Sequence, residues 1–360
     1  MLEAWKEAVL ENPAFYVGWG GLLIGAVFGA LVVRTNFCTM GSLSDIANFG
    51  DWRRFRSWLL ALAVAILGVL WIERSGLGDM ATSLYLNARV TWGGHVIGGL
   101  MFGIGMVFAG GCVSKNLARA GGGDLRSLIV LFVIGITAYM TIGGLFAETR
   151  VAVVDATSGD LPFDDQSLAT ILAGLTGMEG GTARLVAALV LAGGIAIFAF
   201  ADKGFRTSPI HIVAGVGIGL CVVAGWVLTA LAFDEFADNP SVASLSYVRP
   251  AGDSIDYLMR FTAYEAPNFA VVTTLGALLG AFLMSLFLRK FHIATFSDGG
   301  DTLRNLGGAV LMGIGGVTAL GCTVGQAVTG ASTLALGSFI TFAAIVVGGF
   351  IGMKLMERWV

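Results

Sequence analysis

Charged side chains are scarce in this sequence. Asp, Glu, Lys and Arg make up 12% of the 360 residues, about half of the roughly 25% usual in soluble domains, and they are missing from long stretches rather than thinned throughout. Nine segments are apolar and nearly charge-free: residues 16–33, 58–72, 93–109, 127–147, 185–201, 210–233, 269–288, 306–320 and 334–352. A soluble globular domain is excluded, because a spanning helix needs about 20 such residues, within a range of roughly 17–25, and most of the nine qualify. Carboxylates are absent from all nine, so the intramembrane acid on which proton-coupled carriers usually depend is not there to be read. Histidine is almost as rare. His95, His211 and His292 fall near span ends, where local hydrogen bonding accounts for them. The four cysteines, Cys38, Cys112, Cys221 and Cys322, stand 74, 109 and 101 residues apart, which excludes a Cys-x-x-Cys motif and zinc-site spacing. Nothing in the pattern points to an enzyme, a metal, a cofactor or a nucleic-acid partner. A secretory signal is also lacking: Glu3, Glu7 and Glu11 surround Lys6 ahead of the first span, which is expected to remain as a helix.

What is present is a repeat. Shifted by 210 residues, GGLMFGIGMVFAGGC (98–112) lies on GAVLMGIGGVTALGC (308–322), with eight of fifteen positions identical. Each copy is an apolar helix ending in Gly-Cys. The expected fold is an all-α integral membrane protein of about nine transmembrane helices plus re-entrant half-helices. Its single domain, 1–360, is read as two inverted repeats, about 16–147 and 210–353, linked by the helix at 185–201. With nine spans the third and eighth run in opposite senses, which makes the two Gly-Cys copies antiparallel. Segments 58–72 and 306–320 are short, and the second reads as a broken helix that stops inside the bilayer. Two polar stretches, 148–184 and 234–268, read as surface loops with short amphipathic helices. Glycine is abundant, 53 residues, and Gly21-x3-Gly25-x3-Gly29, Gly94-x3-Gly98 and Gly99-x3-Gly103 are spaced for close helix packing in a bilayer.

Charge between the spans sets an orientation. With the N-terminus outside and the C-terminus inside, 14 of the 21 basic residues fall on the inner side and 7 outside. That Lys/Arg bias favours a periplasmic N-terminus and a cytoplasmic C-terminus in a bacterial inner membrane.

Cys38, Cys112 and Cys322 share a context: each follows an apolar span and precedes a short polar or small-residue stretch, in RTNFCTMGS, AGGCVSKNLARAGGG and ALGCTVGQAVTGAS. Cys221 sits within an unbroken apolar helix and reads as a small buried hydrophobe. After Cys112 and Cys322 the chain can resume as half-helices, 114–120 and 323–329, ended by Gly121 and Gly330. A helix that starts inside the membrane offers free N–H groups and the positive end of its dipole, a ready site for an anion. Broken backbone at such depth is tolerated only where it lines a cavity or is buried in protein. Candidate site residues are therefore Cys38, Cys112 and Cys322, with Gly111 and Gly321 making room. Arg34 and Lys115, with Arg119, would draw an anion, and Thr323, Asn116 and Gln326, with Asn36, are possible donors.

Arg34-Thr-Asn-Phe-Cys38, Gly110-Gly-Cys112 and Gly321-Cys322-Thr-x-Gly325, in this order after Gly-rich helices, resemble the YeeE/YedE family of bacterial sulfur transporters from about Gly18 to the C-terminus. The resemblance implies a single-chain inner-membrane importer of nine spans plus re-entrant helices, pinched in the middle, in which thiosulfate passes between cysteines by transient S–H···S contacts. It places the essential thiols on Cys38, Cys112 and Cys322. A cytoplasmic sulfur-carrier protein is a candidate partner. The sequence departs from the family pattern at Lys115, where a glycine often stands three residues after the cysteine.

Thiols suit such a task. Thiosulfate is a dianion with a polarisable terminal sulfur, and conduction requires sites weak enough to leave. A neutral thiol is a weak donor with an ordinary pKa of about 8.5, so it compensates part of the desolvation cost without trapping the ion. The alternatives are a membrane thiol-redox protein using cysteine pairs, or an importer of another sulfur or selenium oxyanion. A Cu(I) carrier would be expected to place Met pairs beside Cys, and Met40 and Met106 form no such cluster.

Overall fold

The computed structural model describes residues 2–233 and 242–358. The chain order is α1 (Leu2–Glu11), α2 (Pro13–Thr35), α3 (Thr39–Phe49), α4 (Arg53–Arg74), α5 (Trp92–Phe108), α6 (Val113–Gly121), α7 (Leu125–Ile142), α8 (Ala147–Ala156), α9 (Leu168–Thr176), α10 (Gly180–Ala201), α11 (Lys203–Arg206), α12 (Pro209–Leu231), α13 (Val248–Met259), α14 (Phe269–Phe287), α15 (Gly299–Thr318) and α16 (Leu336–Glu357). A short antiparallel pair, Arg89–Thr91 with Ser158–Asp160, joins the loops before α5 and after α8. Among the described residues, eight stretches are long and apolar enough to cross a membrane, and the protein is an all-α, multi-pass membrane protein. The remaining expected span, the eighth at 306–320, corresponds to the later turns of α15, whose first turns carry Asp301 and Arg304.

The helix limits follow local chemistry. Proline opens both α2 and α12, where its missing N–H costs nothing. The Asn268 side chain accepts from Val271 N at 2.9 Å to start α14, and Asp124 does the same for Ser127 N at 3.2 Å. Ahead of α4, Asp51 accepts from Arg53 N at 2.9 Å, and the Arg53 guanidinium beside it holds its carboxyl down to about 2. The segment expected to be short, 58–72, is 22 residues long in the structure: α4 draws Arg53, Arg54, Arg56, Glu73 and Arg74 into its ends.

Small residues decide how the long helices meet. α2 packs along α14, α4 along α12, and α5 along both α15 and α16. At the α5–α15 crossing, a Cβ built on Gly98 would lie 2.7 Å from Gly315 O, and one on Gly105 would lie 2.7 Å from Gly308 O. Read from the other side, Gly315 meets Gly98 O and Gly308 meets Gly105 O, each at 2.6 Å. With the shift of 210, Gly98 corresponds to Gly308 and Gly105 to Gly315, so each contact is the counterpart of the other. Backbones touch with no side chain between them, the close approach that small residues permit in a bilayer.

The other pairings follow one scheme. α3 packs on α4 and α16, and α13 packs on α14 and α7. α6 contacts α2, α7 and α14, and the π-helical stretch Gly325–Gly330 contacts α4, α12 and α16. Exchanging α2 with α12, α3 with α13, α4 with α14, α5 with α15, α6 with the helix at 323–332 and α7 with α16 turns these pairings into one another, with α5–α16 going to the α7–α15 contact and α5–α15 onto itself.

The reading of 234–268 as a surface loop does not hold. Residues 234–241 lie outside the described residues, but 242–252 are largely buried, and α13 becomes exposed only towards Leu258 and Met259. Val242, Leu245, Tyr247, Val248 and Pro250 are buried, and α13 enters among α7, α14 and α15. The extended run ahead of it is tied down by backbone and side-chain bonds: Thr229 Oγ1 donates to Ala243 O at 2.6 Å, Ser244 Oγ to Val222 O at 2.6 Å, and Thr329 Oγ1 to Leu245 O at 2.6 Å.

Candidate functional site

Three breaks in the helices share one backbone form. In each, the residue two before the cysteine has a positive φ: Asn36 at 54°, Gly110 at 69° and Leu320 at 61°. The second and third breaks match bond for bond. Gly110 N donates to Val107 O and Leu320 N to Val317 O, both at 3.1 Å, while Gly111 N reaches Met106 O at 2.8 Å and Gly321 N reaches Gly316 O at 2.7 Å. These are the paired closures of a helix C-terminus that ends in a left-handed residue. Gly111, with φ at 156°, occupies backbone space that side chains rarely enter.

After each break a new helix starts at the cysteine. Cys38 caps α3 and Cys112 caps α6, and residues 323–332 come after Cys322, passing through the π stretch Gly325–Gly330. The first expected half-helix ends at Gly121 as read. The second does not stop at Gly330 but continues to Ser332, because the wider π turn absorbs that glycine against Ser338 and Tyr85.

All three sulfurs are buried and all four cysteines are free. Cys38 and Cys112 are direct neighbours across the α3 and α6 starts. Cys112 also lies 3.2 Å from Ser114 Oγ and beside the Thr323 hydroxyl, which joins the second half to the first. Gly41 N donates to Cys38 Sγ and Gly325 N to Cys322 Sγ, both at 3.4 Å. Thr39 Oγ1 and Thr323 Oγ1 are buried without a hydrogen-bond partner among the described residues. The shared Cys-Thr-x-Gly of 38–41 and 322–325 produces all of this: glycine lets the third N–H approach the sulfur, and threonine leaves a hydroxyl free beside it.

The cations gather at the α3 and α6 side of the thiols. Lys115 donates to Asn36 Oδ1, tying the first break to the second. Arg119 donates to Gly110 O at 2.7 Å, and Arg54 pairs with Asp45 at 3.2 Å. Lys115 lies within Coulombic range of Arg54, Arg119, Cys38 and Cys112.

The sequence pattern of the family described as sulphur transport matches residues 34–351 of this chain. The chain belongs to that family. A thiosulfate transporter, TsuA, of Spirochaeta thermophila is 27% identical over 335 residues, 92% of this chain and 97% of its own. TsuA of Escherichia coli is 28% identical over 327 residues, 85% of each chain. A probable transporter, YedE, of Escherichia coli is 29% identical over 107 residues, 29% of this chain and 24% of its own. The resemblance carried by the three Gly/Cys motifs is thus borne out, and the chain is a member of a family of membrane transporters rather than of enzymes.

Not every residue expected at this family member's site is there. Cys38, Cys112, Thr323, Gly111 and Lys115 converge. Cys322 joins them through Thr323, with Gly321 in the turn before it. Arg34 is exposed and makes no hydrogen bond or ion pair among the described residues. Asn116 and Gln326, counterparts under the shift of 210, do not offer free donors. Asn116 Nδ2 is spent on Gly111 O at 2.9 Å and Cys112 O at 3.2 Å. Gln326 donates to Ala319 O and accepts from Ser338 Oγ at 2.6 Å. Both hold the carbonyls of the breaks in place. Asn116→Ala is expected to lower stability by about 1–3 kcal/mol, the cost of stranding buried acceptors, seen as a drop in the detergent-solubilised protein's melting temperature. Thr39 and Tyr247 were not singled out from sequence. The repeated Cys-Thr-x-Gly pointed to Thr39, whereas Tyr247 lay inside the stretch read as a loop.

Proposed function

We propose that this protein imports thiosulfate across the bacterial inner membrane through a constriction lined by the thiols of Cys38, Cys112 and Cys322. The observation that carries the reading is the meeting of Cys38 and Cys112 at the starts of α3 and α6, with Thr323, next to Cys322, against the same sulfur. Each helix start aims free N–H groups and a positive dipole end at that point. Both full-length relatives named above are thiosulfate transporters, which supports the choice of solute. The neutral thiols hand on the terminal sulfur of the anion, while Lys115, Arg119 and Arg54 raise its local concentration on one side without sitting in the constriction.

The exchange pattern of helix pairings supports the reading of two inverted repeats, about 16–147 and 210–353, joined through α10. The Lys/Arg bias supports a periplasmic N-terminus and a cytoplasmic C-terminus. In this orientation Lys115 and Arg119 stand at the exit, where a cytoplasmic sulfur-carrier protein would collect the product. The adjacency of Cys38 and Cys112 also favours one other reading, a thiol-redox pair.

Purified protein in proteoliposomes is expected to accumulate 35S-labelled thiosulfate in preference to sulfate and selenite, with all four thiols reduced throughout as read by alkylation and mass spectrometry. Absence of thiosulfate uptake ends the transport reading. A Cys38–Cys112 disulfide that turns over with the solute would move the protein to the redox class.

A further inference from the structure

Three of the helices that begin in the protein's interior do so at a cysteine. The fourth, α13, begins at Tyr247, which holds the N-cap position that Cys38 holds in α3, but without the bond that the Cys38 side chain accepts from Gly41 N. The two positions correspond: α3 lies against α4 and α16, and α13 lies against their counterparts α14 and α7. Cys112 and Cys322 are already counterparts by the shift of 210. The four positions therefore form two equivalent pairs, Cys38 with Tyr247 and Cys112 with Cys322.

Tyr247 is fully buried and its hydroxyl has no hydrogen-bond partner among the described residues. Buried polar groups left unpaired are costly and uncommon, and a tyrosine in an apolar core usually finds a partner for its hydroxyl. Its main-chain N–H approaches the Cys322 sulfur, and the thiols of Cys221 and Cys322 both lie in the neighbourhood of its phenol. The ring is held on one side by Phe28, with centroids 5.0 Å apart. The extended run ahead of it is pinned by the bonds from Ser244, Thr229 and Thr329. The side chain is rigidly placed, then, with its one polar atom left open.

We propose that Tyr247 is a direct donor to the transported anion, the fourth member of the constriction. The assignment rests on the thiosulfate reading and deepens it, because it gives the two ends of the solute different partners. A phenolic hydroxyl is a stronger and harder donor than a thiol, so it suits the sulfonate-like oxygens, while Cys112 and Cys322 face the soft terminal sulfur. The solute class is a small sulfur oxyanion with one sulfur terminus and one oxygen terminus.

The test is Tyr247→Phe, which keeps the ring and removes only the hydroxyl. Initial uptake of 35S-thiosulfate into proteoliposomes is expected to fall about tenfold, the size of one hydrogen bond to a charged group. The melting temperature of the solute-free protein is expected to stay level or rise, since an unpaired hydroxyl is removed from the core, and the upward shift that thiosulfate gives the wild type is expected to shrink. Wild-type uptake by Tyr247→Phe would overturn the proposal and leave the transport reading standing. A fall of several degrees in the solute-free protein would also overturn it, by showing that the hydroxyl serves the fold. If the wild type itself neither takes up thiosulfate nor is stabilised by it, the transport reading fails first and this assignment with it.

Discussion

Cys112→Ala is expected to reduce thiosulfate uptake by about a hundredfold or more while the protein still inserts and elutes as a single species in detergent. Cys112 lies against the Cys38 thiol, the Ser114 hydroxyl at 3.2 Å and the Thr323 hydroxyl. Alanine removes the donor and leaves Cys38 without its neighbour. One hydrogen bond to a charged group is worth about 1.5–3 kcal/mol, or about 10- to 100-fold, and the loss here extends to the neighbouring thiol. The fold tolerates the change because the break that holds residue 112 is made by Gly110, Gly111 and the Asn116 amide, none of which depends on the sulfur. Cys112→Ser is expected to fall between the two, because a hydroxyl donates but is too hard to match the terminal sulfur. Full uptake by the alanine variant would remove Cys112 from the passage.

The second large effect falls on stability. Gly98→Val at the α5–α15 crossing is expected to cost about 3 kcal/mol or more, at the upper end of overpacking penalties, and to leave little folded protein after purification. Its Cβ would stand 2.6 Å from Ala319 N and 2.7 Å from Gly315 O, which are backbone atoms that no rotamer change can move. Gly315→Val makes the equivalent clash from the other helix and is expected to behave alike. Gly307→Ala is the control on α15. Nothing lies within 4 Å of its Cβ position, so the alanine is expected to be neutral or to stabilise by about 0.5–1 kcal/mol through helix propensity. Thermal melts of the three variants in one detergent separate the cases.

The fold was legible wherever the signal is apolar length or close repetition. The Gly-Cys copies at 98–112 and 308–322 announced two matching breaks, and the structure reproduces them down to individual hydrogen bonds. The sequence was less informative where charge sits at helix ends. Arg53–Arg56 and Glu73–Arg74 made α4 look short because the apolar count stops where the helix does not. Polarity also concealed α13: Arg249, Asp253 and Asp256 gave 234–268 the composition of a surface loop, although Val248, Pro250, Ala251 and Gly252 on its inner face are buried. At the site, the cysteines and Thr323 could be found from motif and spacing, but side-chain direction could not. Arg34 lies four residues from Cys38 yet is exposed and unbonded among the described residues, and Asn116 and Gln326 are polar neighbours of the thiols whose donors are consumed by the backbone.

The Gly98–Gly315 and Gly105–Gly308 contacts have a consequence for ancestry. A surface on which each residue meets the counterpart of its own partner is isologous, the form of interface found in two-fold dimers. Two separate half-length chains, inserted in opposite senses, would close the same seam without any covalent connection. On the proposed inverted-repeat reading, fusion through α10 would fix the stoichiometry and free the halves to diverge, with Tyr247 opposite Cys38 as one product of that freedom.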